Sequence, residues 1–528
     1  VPPAPVAPDV ISRDADRHAT VRAIKLDRGL TLDGRLDEAV YASEKPISDF
    51  IQTLPGNNTV PTERTEAWVM FDATTIYIAA RCWDSAPPEQ WVSNELRRDQ
   101  GQIRQNDHFG VMLDTFYDRR NGYVFYANPL GGRMDLTEAD ESNSNSDWNP
   151  VWNVRTGRFA GGWTIEMAIP FRSIRYHSGS DQRWGIQMRR SIRRKNEWSH
   201  LTPLPIAMGG AQGFFRISAA ATLAGLELPP ASRNIELKPY GITRITTDRL
   251  SNPAVNNDVQ PDWGVDAKYG ITANLTADIT YNTDFAQVEV DEQQVNLTRF
   301  NLQFPEKRDF FLEGRGIFAF ASFPTTQGGA STTNTPVLFY SRRIGLEQGP
   351  RGPVVVPIDV GERVTGKVGR LNIGAVNIQT AERDVTSGTT TTTTPSTNFS
   401  VLRLKGDILR CSNVGMMFTN RSKSVADPEG SNQTYAADGV FSFFSNLSLG
   451  GYYSKTQTET RRGEDDSYQA RAELSPDRYG AQFEYLKVGE NFNPEVGFVR
   501  RANMKRTFGQ VRFSPRPRRI PSIRQITM

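Results

Sequence analysis

Apolar and polar residues alternate through the second half of this chain in stretches of roughly ten residues separated by turn residues. Leu275, Ala277, Ile279 and Tyr281 share one face of such a strand, and Thr276, Asp278, Thr280 and Asn282 the other. In the same way Val414, Met416 and Phe418 oppose Asn413, Gly415 and Thr419, and Ala481, Phe483 and Tyr485 oppose Gln482 and Glu484. A soluble antiparallel sheet alternates like this too, but it needs a layer over its apolar face. No helical pattern follows residue 230 to supply one. The pattern therefore predicts an antiparallel transmembrane β-barrel with about a dozen spanning strands.

Before residue 230 the apolar runs are shorter and rich in β-branched and aromatic residues: Ala67–Phe71, Ile76–Trp83, His108–Phe116, Gly122–Asn128, Trp163–Ile169, Trp184–Ile192 and Gly213–Ile217. Turn signals such as Ala86-Pro87-Pro88, Gly131-Gly132 and Gly161-Gly162 separate them, the spacing of a β-sandwich. The fold class expected is all-β: an N-terminal β-sandwich over 20–228, then a barrel over 229–528 with an inward charged segment at 284–315. Residues 1–19, opening VPPAPVAPDV, read as a disordered leader left after signal-peptide cleavage. The end, Arg516 to Met528, lacks the terminal aromatic strand of a barrel, so the barrel is expected to be incomplete.

Composition changes little. The 528 residues are 38% hydrophobic with net charge +3, and the mean hydropathy is −0.51. A barrel escapes such averages because only alternate residues face lipid. No run of about 18 apolar residues is present, so no transmembrane helix is predicted. The near-balanced charge argues against a nucleic-acid partner. Cys82 and Cys411 fall one in each half and read as free buried thiols. The four histidines, His18, His108, His177 and His200, include no metal-binding pair and all precede the barrel. Asp107 and Asp114 end one strand and so lie about 23 Å apart, too far for glycosidase chemistry. No catalytic site is expected.

Leu32-Asp-Gly-Arg-Leu-Asp-Glu38, the strand pair Glu66–Trp83, Asn106–Asp114 and Trp163–Phe171 occur in order. Together they resemble a family 9-like carbohydrate-binding module, a β-sandwich whose relatives bind glycan ends. In sugar-binding members an aromatic just before the Asp107 strand clamps the sugar with a second one near the last strands; here Arg104 stands at the first place and Trp198 is available near the second. Trp91, Trp148, Trp152 and Trp198 either rebuild a stacking platform or serve as core anchors. Asp135, Glu138 and Asp140 form an acidic stretch, either a weak Ca²⁺ candidate or a solvated loop. Arg189-Arg190 and Arg193-Arg194-Lys195 read as a solvated face or a contact with the barrel rim.

The densest constellation runs from Asn282 through Glu289, Asp291, Phe304-Pro-Glu306-Lys307-Arg308 and Phe310 to Glu313-Gly314, followed by Ser341-Arg342-Arg343 and Asn493-Pro494-Glu495. These motifs resemble a family of outer-membrane barrels of the domain of unknown function 5916 type, which carry the same sandwich in front. So many charges do not suit a lipid-facing strand, where a midplane Arg or Lys costs about 2–4 kcal/mol. Glu289, Asp291, Glu306 and Glu313 are expected to pair with Lys307, Arg308, Arg342 and Arg343 inside the barrel, as a selective constriction or as a brace. Phe323–Thr335 and Ser387–Thr397 read as polar loops without periodicity. The reading is a Gram-negative-type outer-membrane protein with lipid as its partner. Its sandwich, periplasmic or at the surface, captures a glycan or solute for uptake. The alternative is a plugged scaffold in an envelope complex.

Overall fold

The computed structural model describes the chain apart from residues 177–181, 205–210, 229–234, 249–254, 283–302, 324–333 and 516–525, and shorter stretches that include 410–411, 444–445 and residues 140, 147, 307 and 313. Its first half is two packed sheets. One has ten strands, with the path from Ile11–Arg13 to Asn143–Asn145 running through Gln182–Ile192 and His108–Asp114. The other has five, ordered from Asn153–Phe159 through Gly162–Pro170, Thr75–Trp83 and Thr65–Phe71 to Ile24–Lys25. Trp68, Trp152, Trp163 and Trp184 are fully buried between them with Phe71, Phe109 and Phe125.

Four expectations need correction. The Pro-rich start is not a disordered leader: Ile11–Arg13 pairs with Ala19–Arg22, Val10 lies in the core, and Thr20 Oγ1 donates to the Pro2 carbonyl at 2.7 Å. Proline blocks helix but suits such extended edge packing. Gly213–Ile217 is not a strand but consecutive 3₁₀ turns, Ala211–Phe215 and Ile217–Ala219. These place Phe214, Phe215 and Ile217 on one small cluster with Met112, Val124 and Tyr126, and a short apolar run does not declare its period. Arg189 and Arg190 are not solvated: both are buried, Arg190 against Asp84 at 3.5 Å and over the Trp163 ring. Ser387–Thr397 is no loop, because Arg383–Ser387 and Thr390–Thr394 pair as a hairpin; β-branched threonine favours the extended backbone.

The second half is one antiparallel sheet of twelve strands in chain order, from Ile235–Asp248 and Val255–Thr272 to Tyr479–Val488 and Met504–Phe513. The first and last strands form its edges and are not paired with each other among the described residues. Its hairpins differ at the two ends. At one end strands join through tight turns, as between Val368 and Leu371. At the other they join through longer connections, such as 422–431 and 489–503. The alternation read from the sequence is the observed one. Val414, Met416, Tyr435, Tyr453 and Phe483 are exposed on the outer face, while Asn413, Thr419, Asp438, Ser454 and Glu484 are buried on the inner face. This makes the chain a β-sandwich followed by an antiparallel transmembrane-barrel sheet.

Face assignment gives the first test. Met416→Arg puts a cation on the lipid side and should cost about 2–4 kcal/mol of barrel stability if Met416 sits near the midplane. Thr419→Asn, a polar exchange on the inner face, should cost less. Folding titrations into lipid vesicles would measure both.

Candidate functional site

Across the inner face of the large sheet runs the chain's own segment from Glu306 to Phe323. Phe310 lies 5.1 Å from the Arg363 guanidinium, Phe320 lies 5.4 Å from that of Arg403, and Phe323 lies 6.0 Å from that of Arg471. Such ring–cation stacking is attractive and strengthens out of water. The segment is also hydrogen-bonded down: Arg363 donates to the Phe310 carbonyl, and the Ala321 N–H donates to Asp438 at 3.0 Å. Two glycines make the approach close. Gly374 has Phe318 and Ile317 where a Cβ would stand, and Gly314, at φ +69°, sits against the Thr365 side chain. A second stretch lies beside the first, with Val337 bridged to Phe498 and the Tyr340 N–H donating to the Val496 carbonyl. Phe311, Leu338, Ile344, Phe492 and Val496 pack on the buried inner side chains Ile378, Phe399 and Val401.

Of the charge network expected here, Glu306 and Arg308 are brought together, at 2.6 Å and nearly fully buried. Arg308 also donates to the carbonyls of Ser341 and Ile344, and Glu306 accepts from the Ser341 hydroxyl. Arg342 is buried and Arg343 half-buried in the following turn. Glu289, Asp291, Lys307 and Glu313 lie outside the described residues. Most of the inner counter-charges come instead from the strands, which motif reading passed over: Asp278 with Arg363 at 2.8 Å, Arg403 with Asp438 at 2.6 Å, and Arg471 with Glu473 at 2.8 Å. Their signal was present, since a charged residue at a polar-face position of an alternating strand must point inward. Glu495 of the Asn-Pro-Glu motif accepts from the Ser424 hydroxyl and the Val425 N–H, fastening the long-connection end.

The sandwich tryptophans separate. Trp152 is core, its indole donating to Asp135 at 2.7 Å. Trp91 is half-buried, donating to the Ala86 carbonyl under Arg158. Trp198 donates to Ser191 and stacks with Arg189 and Arg193. Arg104 is half-buried in the turn Gly101–Gln105, near the same buried Arg189. No single platform gathers all of them. Arg189 donates to His108 Nε2 at 3.1 Å, which leaves Nδ1–H to donate to the Asn106 carbonyl. Burial, and then Arg189, holds both His108 and His200 well below the ordinary histidine range, so these rings are neutral. The acidic stretch is strand Arg133–Ala139, whose period of two sends Asp135 and Glu138 to opposite faces. Asp135 is committed to Arg98 and Trp152, Glu138 accepts from Ser144, and Asp140 lies outside the described residues. Among the described residues no three acidic, His or Cys groups are placed to hold a metal.

The site that motif reading missed is the junction of the two halves. The turn after strand His108–Asp114 carries left-handed backbone at Tyr117 and Arg119 (φ 53° and 61°), pinned by Arg119 donating to Thr222 and stacking on Tyr117. It presents Asp118 and Arg120 to the tight-turn end of the barrel. There Lys367 bridges Asp118 at 3.2 Å and Asp407 at 2.7 Å, and Arg120 reaches Asp407 at 2.5 Å. Burial alone would raise the Asp118 carboxyl, but Lys367, Asn121 and Arg120 together hold it below the usual range. Burial and the neighbouring Asp118 push Asp114 up. Beside this network is a cavity of about 250 Å³, walled by Tyr123, Trp148 and Arg172 of the sandwich and by Arg315, Lys367 and Lys405 of the barrel half. Trp148 and Arg172 also border a second cavity of about 430 Å³ that follows the first barrel strands.

A sandwich docked on the tight-turn end of a twelve-stranded sheet, with the inner face of that sheet covered by its own chain, defines a two-part barrel protein. The chain belongs to the DUF5916 family, a domain of unknown function whose model matches residues 231–516. Among solved structures, the chain is similar over 40% of its length to a family 9 carbohydrate-binding module from Caldicellulosiruptor kristjanssonii in complex with cellotriose, with 95% of that chain covered, 13% identity and a TM-score of 0.28. It is also similar over 77% of its length to the outer membrane channel DcaP of Acinetobacter baumannii, with 93% of that chain covered, 8% identity and a TM-score of 0.24. No curated protein matches it.

The junction gives a pH prediction. A carboxylate whose folded pKa is depressed stabilises above its unfolded value, about 3.9, and loses that contribution as pH falls through the folded value. Docking should therefore hold from pH 8 down to about 5 and weaken only below about 4. Lys367→Ala takes the cation from the buried Asp118 while Asp407 keeps Arg120, at roughly 3–5 kcal/mol if Asp118 stays buried. Amide exchange should then quicken at 118–121 with the Trp163 core unchanged.

Proposed function

We propose that this protein is a non-catalytic outer-membrane barrel, closed at rest by its own chain, whose sandwich lies on the periplasmic side and captures glycan for uptake. The observation that carries the closed state is the crossing of the inner face by Glu306–Phe323, fastened by Arg363 and Asp438 and stacked on the strand arginines. The sidedness rests on the hairpins. Outer-membrane barrels keep short turns in the periplasm and long loops outside, and the sandwich meets the sheet through Lys367 and Asp407, both at the tight-turn end. The outer face, with Val414, Met416, Tyr453 and Phe483 exposed, is suited to lipid. The same covered inner face also favours the second reading, a non-catalytic scaffold in which the segment never leaves.

Single-channel recording in planar bilayers decides between them. The wild-type protein should be silent. Truncating Phe320 and Phe323 to alanine removes the segment's stacking on Arg403 and Arg471, at about 3–5 kcal/mol per ring, and should produce transient conductance steps. A correctly inserted variant that stays silent supports the scaffold, and steady steps from the wild type overturn the closed state.

A further inference from the structure

Two guanidinium groups from different halves of the molecule border the 250 Å³ junction cavity without partners. Arg172, in the turn Phe171–Ser173, and Arg315, at the start of Arg315–Phe318, are exposed, and neither makes a hydrogen bond or ion pair among the described residues. The two acids of the cavity lining, Asp118 and Glu138, stand against five cations, Arg172, Arg175, Arg315, Lys367 and Lys405, and Asp118 is already held by Lys367 and Asn121. The unspent charge of the cavity is therefore positive. Its wall is aromatic, with the half-buried Trp148 packed on Tyr123 at 4.9 Å and a 39° tilt. Trp148 donates no hydrogen bond from its indole among the described residues.

We infer that this cavity binds one residue of an acidic saccharide, a pyranose ring carrying a carboxylate. The CH-rich face of such a ring matches the flat indole. Its carboxylate matches the arginine fork, which takes two parallel hydrogen bonds. Its hydroxyls meet the polar rim of Thr115, Asn121 and Ser173. The space is below the roughly 300–1,000 Å³ of clefts for drug-sized ligands, which fits a single ring. The inference rests on the reading of the sandwich as a glycan-capturing domain and gives that reading a place and a substrate class.

Calorimetric titration of the full-length protein in detergent with D-galacturonate, D-galactose and inorganic phosphate tests it. Galacturonate should bind at least about tenfold more tightly than galactose, and Arg172→Gln and Arg315→Gln should each lower its affinity roughly tenfold or more, as loss of a charged hydrogen bond does. Both variants should fold, since neither side chain has a described contact to lose. Equal binding of the two sugars, untouched by either substitution, overturns the junction site and leaves capture elsewhere on the sandwich standing. Phosphate competing as well as galacturonate shows a bare-anion site and overturns the saccharide. No binding of either sugar overturns the site, and no binding to an array of neutral and acidic glycans removes the capture reading as well.

Discussion

Every arginine on the inner face of the large sheet has to meet its carboxylate inside that enclosure, because alternate side chains of the same strands are given to an apolar surface. An ion buried without a partner costs several kcal/mol, so the pairs dictate what else can sit there. Asp278 and Arg363 stand directly opposite on paired strands. Arg403 and Asp438 are two strands apart and meet over Gly415, where a Cβ would strike both. Asp438 takes the Arg403 fork on both oxygens and accepts the Ala321 N–H as well on Oδ2, while the Arg403 guanidinium presents a face to Phe320. The path of the covering segment follows from where the wall settles its charges.

The same rule explains what was legible in the sequence. Strand alternation is a local, period-two property, and Leu275–Tyr281, Val414–Phe418 and Ala481–Tyr485 announced their faces without knowledge of any partner. The pairing of Glu306 with Arg308 was legible from the density of charge there, while residues 283–302 of the same segment lie outside the described residues. What was not legible depends on contacts distant in sequence. Asp118 and Arg120 look like an ordinary polar turn until Lys367 and Asp407, some 249 and 287 residues on, are brought against them. Arg189 and Arg190 look solvated until aromatic rings close over them. Trp148 and Trp152, four positions apart, read alike as sequence, yet one is sealed behind Asp135 and the other borders two cavities.

The two halves treat buried charge differently. In the sandwich, Arg190 and Arg194 share Asp84, and Arg194 and Lys195 share Glu63, so one strand end and its turn are tied to the opposite sheet. In the barrel the ties run around the wall and into the covering segment. The junction joins the two systems through Lys367 and the Arg120–Asp407 pair, and the cavity beside it has walls from both the sandwich and the segment that covers the inner face.

Lys367 and Asp407 sit on strands separated by Leu371–Thr380, and both project to the inner side. Because side chains alternate, slipping either strand by one position would turn its charge toward lipid. The sandwich can find its alternating row of acid, lysine, acid and arginine only on a wall assembled in the native register. Docking of the sandwich thus reads the register of the wall, since a strand displaced by one position would carry Lys367 or Asp407 out of reach of Asp118 and Arg120.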